Sequence, residues 1–204
     1  MPDKKTIQFY NINAKGLYKV YNSLERGVSM YFKSFFEPNS SILELGFGSG
    51  RDLIQLLDDD MEANGIEASI GMLNISTQNN PKLAIRVWLD SLPLLKTIED
   101  ASYDGVLCSA VLMHISKESM PEAVRNISRV VKPGGRLLIS VPSFREDLDS
   151  DNTRDKYGRM YNNFQPSVYV ELFKLTGFKV LFQEENRDAM KRGFNWITIG
   201  FKKI

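Results

Sequence analysis

The stretch ILELGFGSGRD, from Ile42 to Asp52, decides the fold, because an apolar run with a single acid is followed at once by three glycines at alternate positions. Gly46, Gly48 and Gly50 fall where a first strand turns into a helix, so they permit positive φ and let a ligand lie against bare backbone. The stretch therefore predicts a nucleotide-type binding loop at the end of a first strand.

The spacing of these glycines and the acid before them restrict the class of ligand that the loop can bind. A dinucleotide fingerprint needs its third glycine at position 51, which is Arg51 here, and no P-loop lysine follows. The carboxylate of Glu44 beside the loop would repel a pyrophosphate and favour a ligand that carries an ammonium group and a sulfonium. The alternative explanation for Glu44 is a carboxylate that only ties down the amides of the loop.

Short apolar runs alternate with helical patterns from residue 40 onward, which is typical of a parallel sheet with crossover helices. The last two runs alternate apolar and polar residues around a polar turn, as in an antiparallel hairpin at a sheet edge. The predicted strands are Ser41–Leu45, a second one that closes with Gly65–Glu67, Ala84–Leu89, Tyr103–Ser109, Arg136–Val141, Phe178–Glu184 and Phe194–Phe201. The predicted fold class is α/β, a Rossmann-like doubly wound sheet, mostly parallel with an antiparallel C-terminal edge hairpin and helices on both faces.

Composition excludes several kinds of partner. Lysine and arginine total 26 against 25 acids, so the net charge of +1 provides no global field for nucleic acid or an anionic membrane. The single Cys108 cannot form an internal disulfide and falls in an apolar strand, which indicates a reducing compartment. The N-terminus has no apolar signal core, and no apolar run is long enough to span a bilayer. We expect a cytoplasmic protein with no membrane partner.

Four further motifs follow the glycine loop in order. They are Glu67 in GIEASIGML, Asp90 in WLDSLP, the segment YDGVLCSAVLMHIS and the turn KPGGRLLIS. With the loop, they resemble the class I S-adenosylmethionine-dependent methyltransferases of small bacterial type, over nearly all of residues 40 to 204. The resemblance implies S-adenosylmethionine as cofactor and S-adenosylhomocysteine as product.

The resemblance also implies roles for individual residues. Glu67, about 20 residues past the glycines, would accept both ribose hydroxyls, and Asp90 would bind the adenine amino group. Met72 would pack on the adenosine, although a plain core position is the alternative, while Ser109 and Ala110 are small enough to let cofactor and substrate approach. The predicted cofactor site comprises Glu44, Gly46, Gly48, Gly50, Glu67, Ala68, Met72, Asp90, Ser91, Leu92, Ser109 and Ala110.

Length and composition, 204 residues of which 43% are hydrophobic, predict one domain. We divide it into an N-terminal helical cap (1–38), a cofactor-binding half (39–142), a lid loop (143–165), and a C-terminal helix and hairpin (166–204). Within the cap, Leu17 to Phe36 has helical spacing. The loop is long and polar, so we expect it to be mobile, with its polar side chains outside the core.

Methyl transfer from a sulfonium is an in-line displacement that orientation and desolvation can largely catalyse, so a dedicated catalytic residue is not required. If the acceptor needs a base, the only histidine, His114, lies a few residues past the fourth strand, near the expected methyl group. A structural role is the alternative. Tyr18 and Tyr21, with Tyr10, are candidates to contact substrate or the methionine end of the cofactor, and plain packing is their alternative. Arg159 is the predicted acceptor-binding cation of the lid loop.

The acceptor is predicted to be a small molecule with an oxygen or nitrogen nucleophile. The residues after the fourth strand lack the Asn/Asp-Pro-Pro-aromatic motif of amide- and adenine-nitrogen methyltransferases, and no Pro-Cys nucleophile occurs. Nucleic acid is not expected, but SAVLMHIS weakly resembles transfer-RNA wobble-uridine methyltransferases, which keeps RNA as an alternative. A nicotinamide oxidoreductase and a non-catalytic cofactor-binding subunit are alternatives from other classes. We predict no metal site, and the sequence leaves the oligomeric state open.

Overall fold

One seven-stranded sheet organises the computed structural model, which describes residues 2–24, 27–149, 151 and 153–204. The strand order is β3-β2-β1-β4-β5-β7-β6. Strands β1 to β5 pair in parallel, and β7 pairs antiparallel with both β5 and β6. The strands are β1 Ser41–Leu45, β2 Glu62–Glu67, β3 Val87–Leu89, β4 Tyr103–Ser109, β5 Val131–Pro142, β6 Phe178–Arg187 and β7 Asn195–Lys203. The predicted fold class, including the antiparallel edge hairpin, is confirmed.

Helices cover both faces of this sheet, as the alternation of side chains along each strand requires. Leu43 and Leu45 of β1 belong to a core cluster with α5 and α6, whereas Ile42 belongs to a second cluster with α2 and α3. The helices are α1 Lys4–Ser23, α2 Phe32–Phe35, α3 Arg51–Asp58, α4 Ile70–Asn79, α5 Met120–Val130 and α6 Pro166–Lys174, with short 3-10 helices at Val28–Tyr31, Pro81–Leu83 and Leu112–His114.

The strand order reverses at β1, which pairs with β2 on one side and with β4 on the other. Loops that leave the carboxyl ends of β1 and β4 therefore diverge to opposite faces and leave a crevice between them. The glycine loop follows β1 directly, so it lies at this crevice.

Two strands differ from their predicted bounds. The third strand is only Val87–Leu89, because Pro81–Leu83 forms a 3-10 turn in which Ala84 N donates to Pro81 O. The fifth strand begins at Val131 and not at Arg136, since Val131 pairs with Tyr103 before an irregularity in the register. Both differences lie away from the carboxyl edge, so the crevice keeps its predicted position.

The N-terminal helix also differs from its prediction. The predicted stretch 17–36 contains Glu25 and Arg26, which lie outside the described residues. Helix α1 begins at Lys4, because the Asp3 side chain caps it by accepting from Thr6 N at 2.9 Å, and it ends at Ser23. The aromatic part of the predicted helix forms the separate turns at 28–31 and 32–35. The amphipathic spacing was correct for helical structure but not for one continuous helix.

Helix α1 lies against the start of α4 at very short range. Asn11 Oδ1 accepts hydrogen bonds from Ser69 Oγ at 2.7 Å and from Gly71 N at 3.0 Å. A Cβ atom on Gly71 would lie 2.7 Å from the carbonyl oxygen of Asn11. Only glycine at position 71 allows this contact, which holds α1 beside the crevice.

No helix in the described ranges combines the length and apolar character needed to cross a membrane.

Gly71→Ala is expected to lower the free energy of unfolding by about 1 to 3 kcal/mol, because the added methyl group would overlap the backbone of Asn11. Gly16→Ala is the matched control on the exposed surface of α1, where an added methyl group meets nothing within 4 Å. It should raise that free energy by up to about 1 kcal/mol through helix propensity. Urea unfolding followed by circular dichroism measures both values. Equal stability of the two variants would contradict the close packing of α1 on α4.

Candidate active site

A cavity of about 420 Å³ opens at the carboxyl ends of β1, β2 and β4, within the range expected for small-ligand sites. Its wall comes from the glycine turn, the strand ends, α1, the segment 143–165 and the β6–β7 hairpin. Among the residues predicted from the sequence, it is lined by Glu44, Gly46, Gly48, Glu67, Ala68, Met72, Asp90, Ser91, Leu92, Ser109, Ala110, His114, Tyr21 and Arg159. The structure thus brings nearly the whole predicted set to one cavity.

Gly50 and Tyr18 are the exceptions, and neither lines the cavity. Gly50 is the N-cap of α3 with φ +78°, and a Cβ there would lie 2.5 Å from Leu83 Cδ1, so this glycine serves helix entry and packing. The Tyr18 hydroxyl accepts from Asn80 Nδ2 at 3.1 Å, at the end of α4. The structure shows these structural contacts, and the ligand contact of Gly50 and the substrate contact of Tyr18 stay predictions.

The glycine turn is fixed by β2 and open toward the cavity at Gly48. Gly46 N donates to Ile66 O at 2.8 Å, and Gly46 and Gly48 have φ of +67° and +55°. A Cβ on Gly46 would lie 2.6 Å from Val111 Cγ2, whereas one on Gly48 would meet no atom closer than 3.9 Å. Gly46 therefore permits packing under the turn, while Gly48 leaves room for a ligand.

Glu67 is held by the glycine turn and by the start of α4. Its Oε2 accepts from Gly48 N at 3.0 Å, and its Oε1 accepts from Ser69 N at 2.9 Å. Burial raises the pKa of Glu67, and the backbone hydrogen bonds oppose that rise. A carboxylate oxygen accepts about two hydrogen bonds, so each oxygen keeps acceptor capacity. The side chain is thus fixed in place with capacity for two hydroxyl donors.

Glu44 is a buried carboxylate, 3% exposed, and its Oε2 has no hydrogen-bond partner among the residues that the structure describes. Burial, with the negative charge of Asp52, raises its pKa well above the usual value, and the cation of Arg51 opposes this. A buried charged group without a partner is costly. No loop amide donates to Oε2, so this oxygen does not support the alternative that Glu44 only holds the amides of the loop in place. The arrangement favours a cationic ligand beside the turn.

Asp90 lines the cavity, but its carboxylate is already engaged. Oδ1 accepts from Ser91 N and Lys96 N, and Oδ2 accepts from the backbone N and Oγ1 of Thr97. Burial would raise the pKa of Asp90, yet these hydrogen bonds outweigh burial and lower it. All four acceptor positions of the carboxylate are filled. Asp90 therefore shapes the loop 91–97, and its adenine contact stays a prediction.

His114 lies in the 3-10 turn after β4 with both ring nitrogens engaged. Nδ1 lies 2.6 Å from Met160 O, and Nε2 lies 3.0 Å from the Tyr10 hydroxyl. Burial lowers the pKa of His114 to about 4, and the cations of Arg159 and Arg145 act in the same direction. The ring is therefore neutral at pH 7, and neither nitrogen is free to take a proton from an acceptor in this arrangement.

The segment 143–165 does not keep its polar side chains outside the core. Arg159 and Asp155 are 8% and 6% exposed and form an ion pair with 2.6 Å between Nη2 and Oδ2. The Asn162 amide donates to the carbonyl oxygens of Leu112 and Ile115. The expectation was wrong for these three residues, because pairing offsets the cost of burying their polar groups. Arg145 is buried as well, and its Nη1 has no hydrogen-bond partner among the described residues. The predicted segment includes Ser150 and Asn152, which lie outside the described residues.

The β6–β7 hairpin forms a wall of the cavity that the sequence interpretation missed. Asp188 accepts from Arg192 Nη2 at 2.7 Å and from Trp196 Nε1 at 2.9 Å, and all three side chains line the cavity. Trp196 pairs with Pro142 at the carboxyl end of β5. An antiparallel hairpin beside β5 must turn at the carboxyl edge of the sheet, so the predicted topology contained the signal.

The family comparison matches residues 43–139 to a family described as a methyltransferase domain. A tRNA N(3)-methylcytidine methyltransferase of Schizosaccharomyces pombe is 30% identical over 80% of this chain, which spans only 54% of that relative. An uncharacterised methyltransferase of Bacillus subtilis, YdaC, is 25% identical over 65% of this chain and 72% of its own length.

A solved methyltransferase structure has the same fold. The 1,6-didemethyltoxoflavin-N1-methyltransferase of Burkholderia thailandensis, solved with 1,6-didemethyltoxoflavin and S-adenosylhomocysteine, superposes with a TM-score of 0.77 and 17% identity. That similarity covers 98% of this chain and 87% of the other. The matched residues 43–139 include the glycine turn, Glu67, Asp90 and His114. Residues 43–139 thus match the methyltransferase-domain family, and the chain has the fold of the Burkholderia thailandensis methyltransferase.

Proposed function

We propose that this chain transfers a methyl group from S-adenosylmethionine to an oxygen or nitrogen nucleophile of a small molecule. The observation that carries the proposal is the pair of buried carboxylates at one glycine turn, Glu44 with an unpartnered oxygen and Glu67 with capacity for two hydroxyls. S-adenosylmethionine has a cationic amino group and a ribose diol, so it matches both.

The residues would share the work as follows. Glu44 binds the ammonium group beside the turn, Gly48 leaves room for the ligand against the backbone, and Glu67 accepts the ribose hydroxyls. When bound, S-adenosylmethionine supplies an electrophilic methyl group on a sulfonium. The protein contributes orientation and exclusion of water, which are the main requirements of an in-line displacement. Segment 39–142 holds the cofactor in this proposal.

A small acceptor is favoured by the way the cavity is covered. Asp3 at the start of α1 accepts from Arg154 Nη2 at 2.9 Å, and Thr6 Oγ1 accepts from Met160 N at 2.8 Å. The cap 1–38 and the segment 143–165 are thus joined above the acceptor side, and we retain them as a proposed lid. The Burkholderia thailandensis methyltransferase was solved with 1,6-didemethyltoxoflavin and S-adenosylhomocysteine bound.

Methylation of a tRNA base is the second candidate, and the identity to the Schizosaccharomyces pombe enzyme favours it. Methyl-labelled S-adenosylmethionine, offered with a small-metabolite fraction and separately with a tRNA fraction, distinguishes the two. Label in the small-metabolite fraction supports the proposal, and label only in tRNA supports the second candidate. Binding of S-adenosylhomocysteine without label in either fraction would indicate a non-catalytic cofactor-binding subunit.

Glu67→Ala should weaken S-adenosylhomocysteine binding at least tenfold. Hydrogen bonds to a charged group contribute about 1.5 to 3 kcal/mol each, and both ribose contacts would be lost. Glu62→Ala is the control, because Glu62 is an exposed acid at the other end of β2. Isothermal calorimetry measures both variants. Wild-type affinity in Glu67→Ala would rule out the ribose contact.

Glu44→Gln should weaken binding through the amino-acid half of the cofactor and leave binding through the adenosine half unchanged. Because the lost charge faces the ammonium group, affinity for S-adenosylhomocysteine should fall about tenfold, while affinity for 5′-methylthioadenosine, which has no amino acid, should stay within about twofold. The variant should also be at least as stable as the wild type to urea, since it removes a buried charge with an unpartnered oxygen. An equal loss for both ligands would show that Glu44 only supports the turn.

A further inference from the structure

Tyr10, on α1, lines the cavity between the half-buried imidazole of His114 and the buried guanidinium of Arg159. Its hydroxyl oxygen lies 3.0 Å from His114 Nε2 and 3.2 Å from Arg159 Nη1. The ring also packs edge-on against His114, with 5.8 Å between centroids. The hydroxyl is therefore fixed from two sides.

The direction of each hydrogen bond follows from Met160. Its carbonyl oxygen can only accept, so the proton of the neutral His114 ring is on Nδ1, 2.6 Å away. Nε2 then carries a lone pair and accepts from the Tyr10 hydroxyl. A guanidinium has no lone pair to offer, so Arg159 Nη1 donates to the Tyr10 oxygen. This oxygen has used its proton and one of its two lone pairs.

Neighbouring contacts hold these partners in place. Met160 is fixed by the hydrogen bond from its N to Thr6 Oγ1, and Arg159 is held by the buried carboxylate of Asp155. Burial raises the pKa of Tyr10 well above its usual value, so the hydroxyl keeps its proton at neutral pH. The second lone pair of the Tyr10 oxygen is left for a group in the cavity.

We propose that Tyr10 binds the reacting O–H or N–H group of the methyl acceptor by accepting its hydrogen bond, and that His114 is a positioning residue that sets the direction of the Tyr10 proton. This inference rests on the proposed function. Transfer breaks the bond between the methyl carbon and sulfur, forms a bond from that carbon to the acceptor oxygen or nitrogen, and leaves S-adenosylhomocysteine. The proton that the acceptor then loses passes to water, so no proton has to move to His114. The hydrogen bond orders the nucleophile, and its strength rises as the nucleophile gains positive charge during transfer, which is how an enzyme favours a transition state.

A class of acceptor follows. Hydroxyl compounds and primary or secondary amines have a proton to donate to Tyr10. Tertiary amines, thioethers and carboxylates would place a lone pair against the lone pair of Tyr10. The site therefore selects nucleophiles that still carry a proton.

The direction of these hydrogen bonds can be measured directly, because His114 is the only histidine in the chain. Long-range ¹H–¹⁵N correlation spectra of the wild type at pH 7 should show Nδ1 protonated and Nε2 as a hydrogen-bonded acceptor nitrogen. In Tyr10→Phe, Nδ1 should stay protonated, and the Nε2 shift should move toward that of a free acceptor nitrogen. A proton on Nε2 in the wild type would overturn the proposal, because Tyr10 would then present its proton to the cavity.

Variants test the role in transfer, with the labelled cofactor and the fraction that accepts label from the wild type. Tyr10→Phe should reduce the rate at least tenfold and change S-adenosylhomocysteine affinity by less than about twofold. Tyr157→Phe is the matched control, because Tyr157 packs on Phe9 of α1 but lies outside the cavity wall. Equal rates for Tyr10→Phe and the control would overturn the proposal.

His114 variants separate positioning from proton transfer. His114→Gln, whose amide oxygen can accept from Tyr10, should retain the rate within about fivefold, whereas His114→Ala should lose at least tenfold. A glutamine variant as slow as the alanine variant would make His114 a base and overturn the positioning role. The proposed function fails separately, if the wild type itself labels no acceptor.

Discussion

The hydrogen bond from Gly48 N to Glu67 Oε2 is the contact on which the cofactor side of the molecule depends. It joins the end of β2 to the turn after β1, so the pairing of these two strands determines the geometry of the site. The same carboxylate accepts from Ser69 N at the start of α4, and α4 in turn meets α1. One side chain thus links the switch point of the sheet to the helix that closes the cavity. A carboxylate is suited to this because it can accept backbone donors and still offer acceptor positions to a ligand.

The acceptor side is organised differently, by polar side chains that pair across elements distant in sequence. Arg154 reaches Asp3, Arg159 reaches Tyr10, and Asn162 reaches the turn that carries His114. Burying these polar groups costs little free energy because each has a hydrogen-bond partner. An unpaired buried polar group would destabilise the fold. The cap and the segment 143–165 therefore support each other, and a change in one should reposition the other.

The sequence predicted the cofactor side well because its signals are local. The three glycines after an apolar strand can be recognised from their neighbours in sequence, and so can the acid at the end of the next strand. The parallel pairing of the two strands then brings these motifs together. It predicted the acceptor side poorly because those contacts are long-range. Nothing in the sequence near Arg159 indicates its contact with Tyr10, which lies 149 residues away. Polarity alone suggested an exposed loop, whereas burial depends on partners that a single sequence does not reveal.

The arginines near the acceptor end do not create a positive pocket, although the sequence suggested cations for an acidic acceptor. Arg145 pairs with Asp147, Arg159 with Asp155, and Arg192 with Asp188, so each charge is neutralised within a few residues. Arg145 also stacks between the rings of Tyr161 and Phe194, which joins the segment 143–165 to the β6–β7 hairpin. Pairing removes most of the long-range electrostatic field of these guanidinium groups. An acceptor would therefore contact their fixed N–H donors and the aromatic rings packed on them. Selection at this end of the cavity then depends on shape and on the direction of individual hydrogen bonds, which explains why the orientation of one tyrosine hydroxyl has consequences for the acceptor.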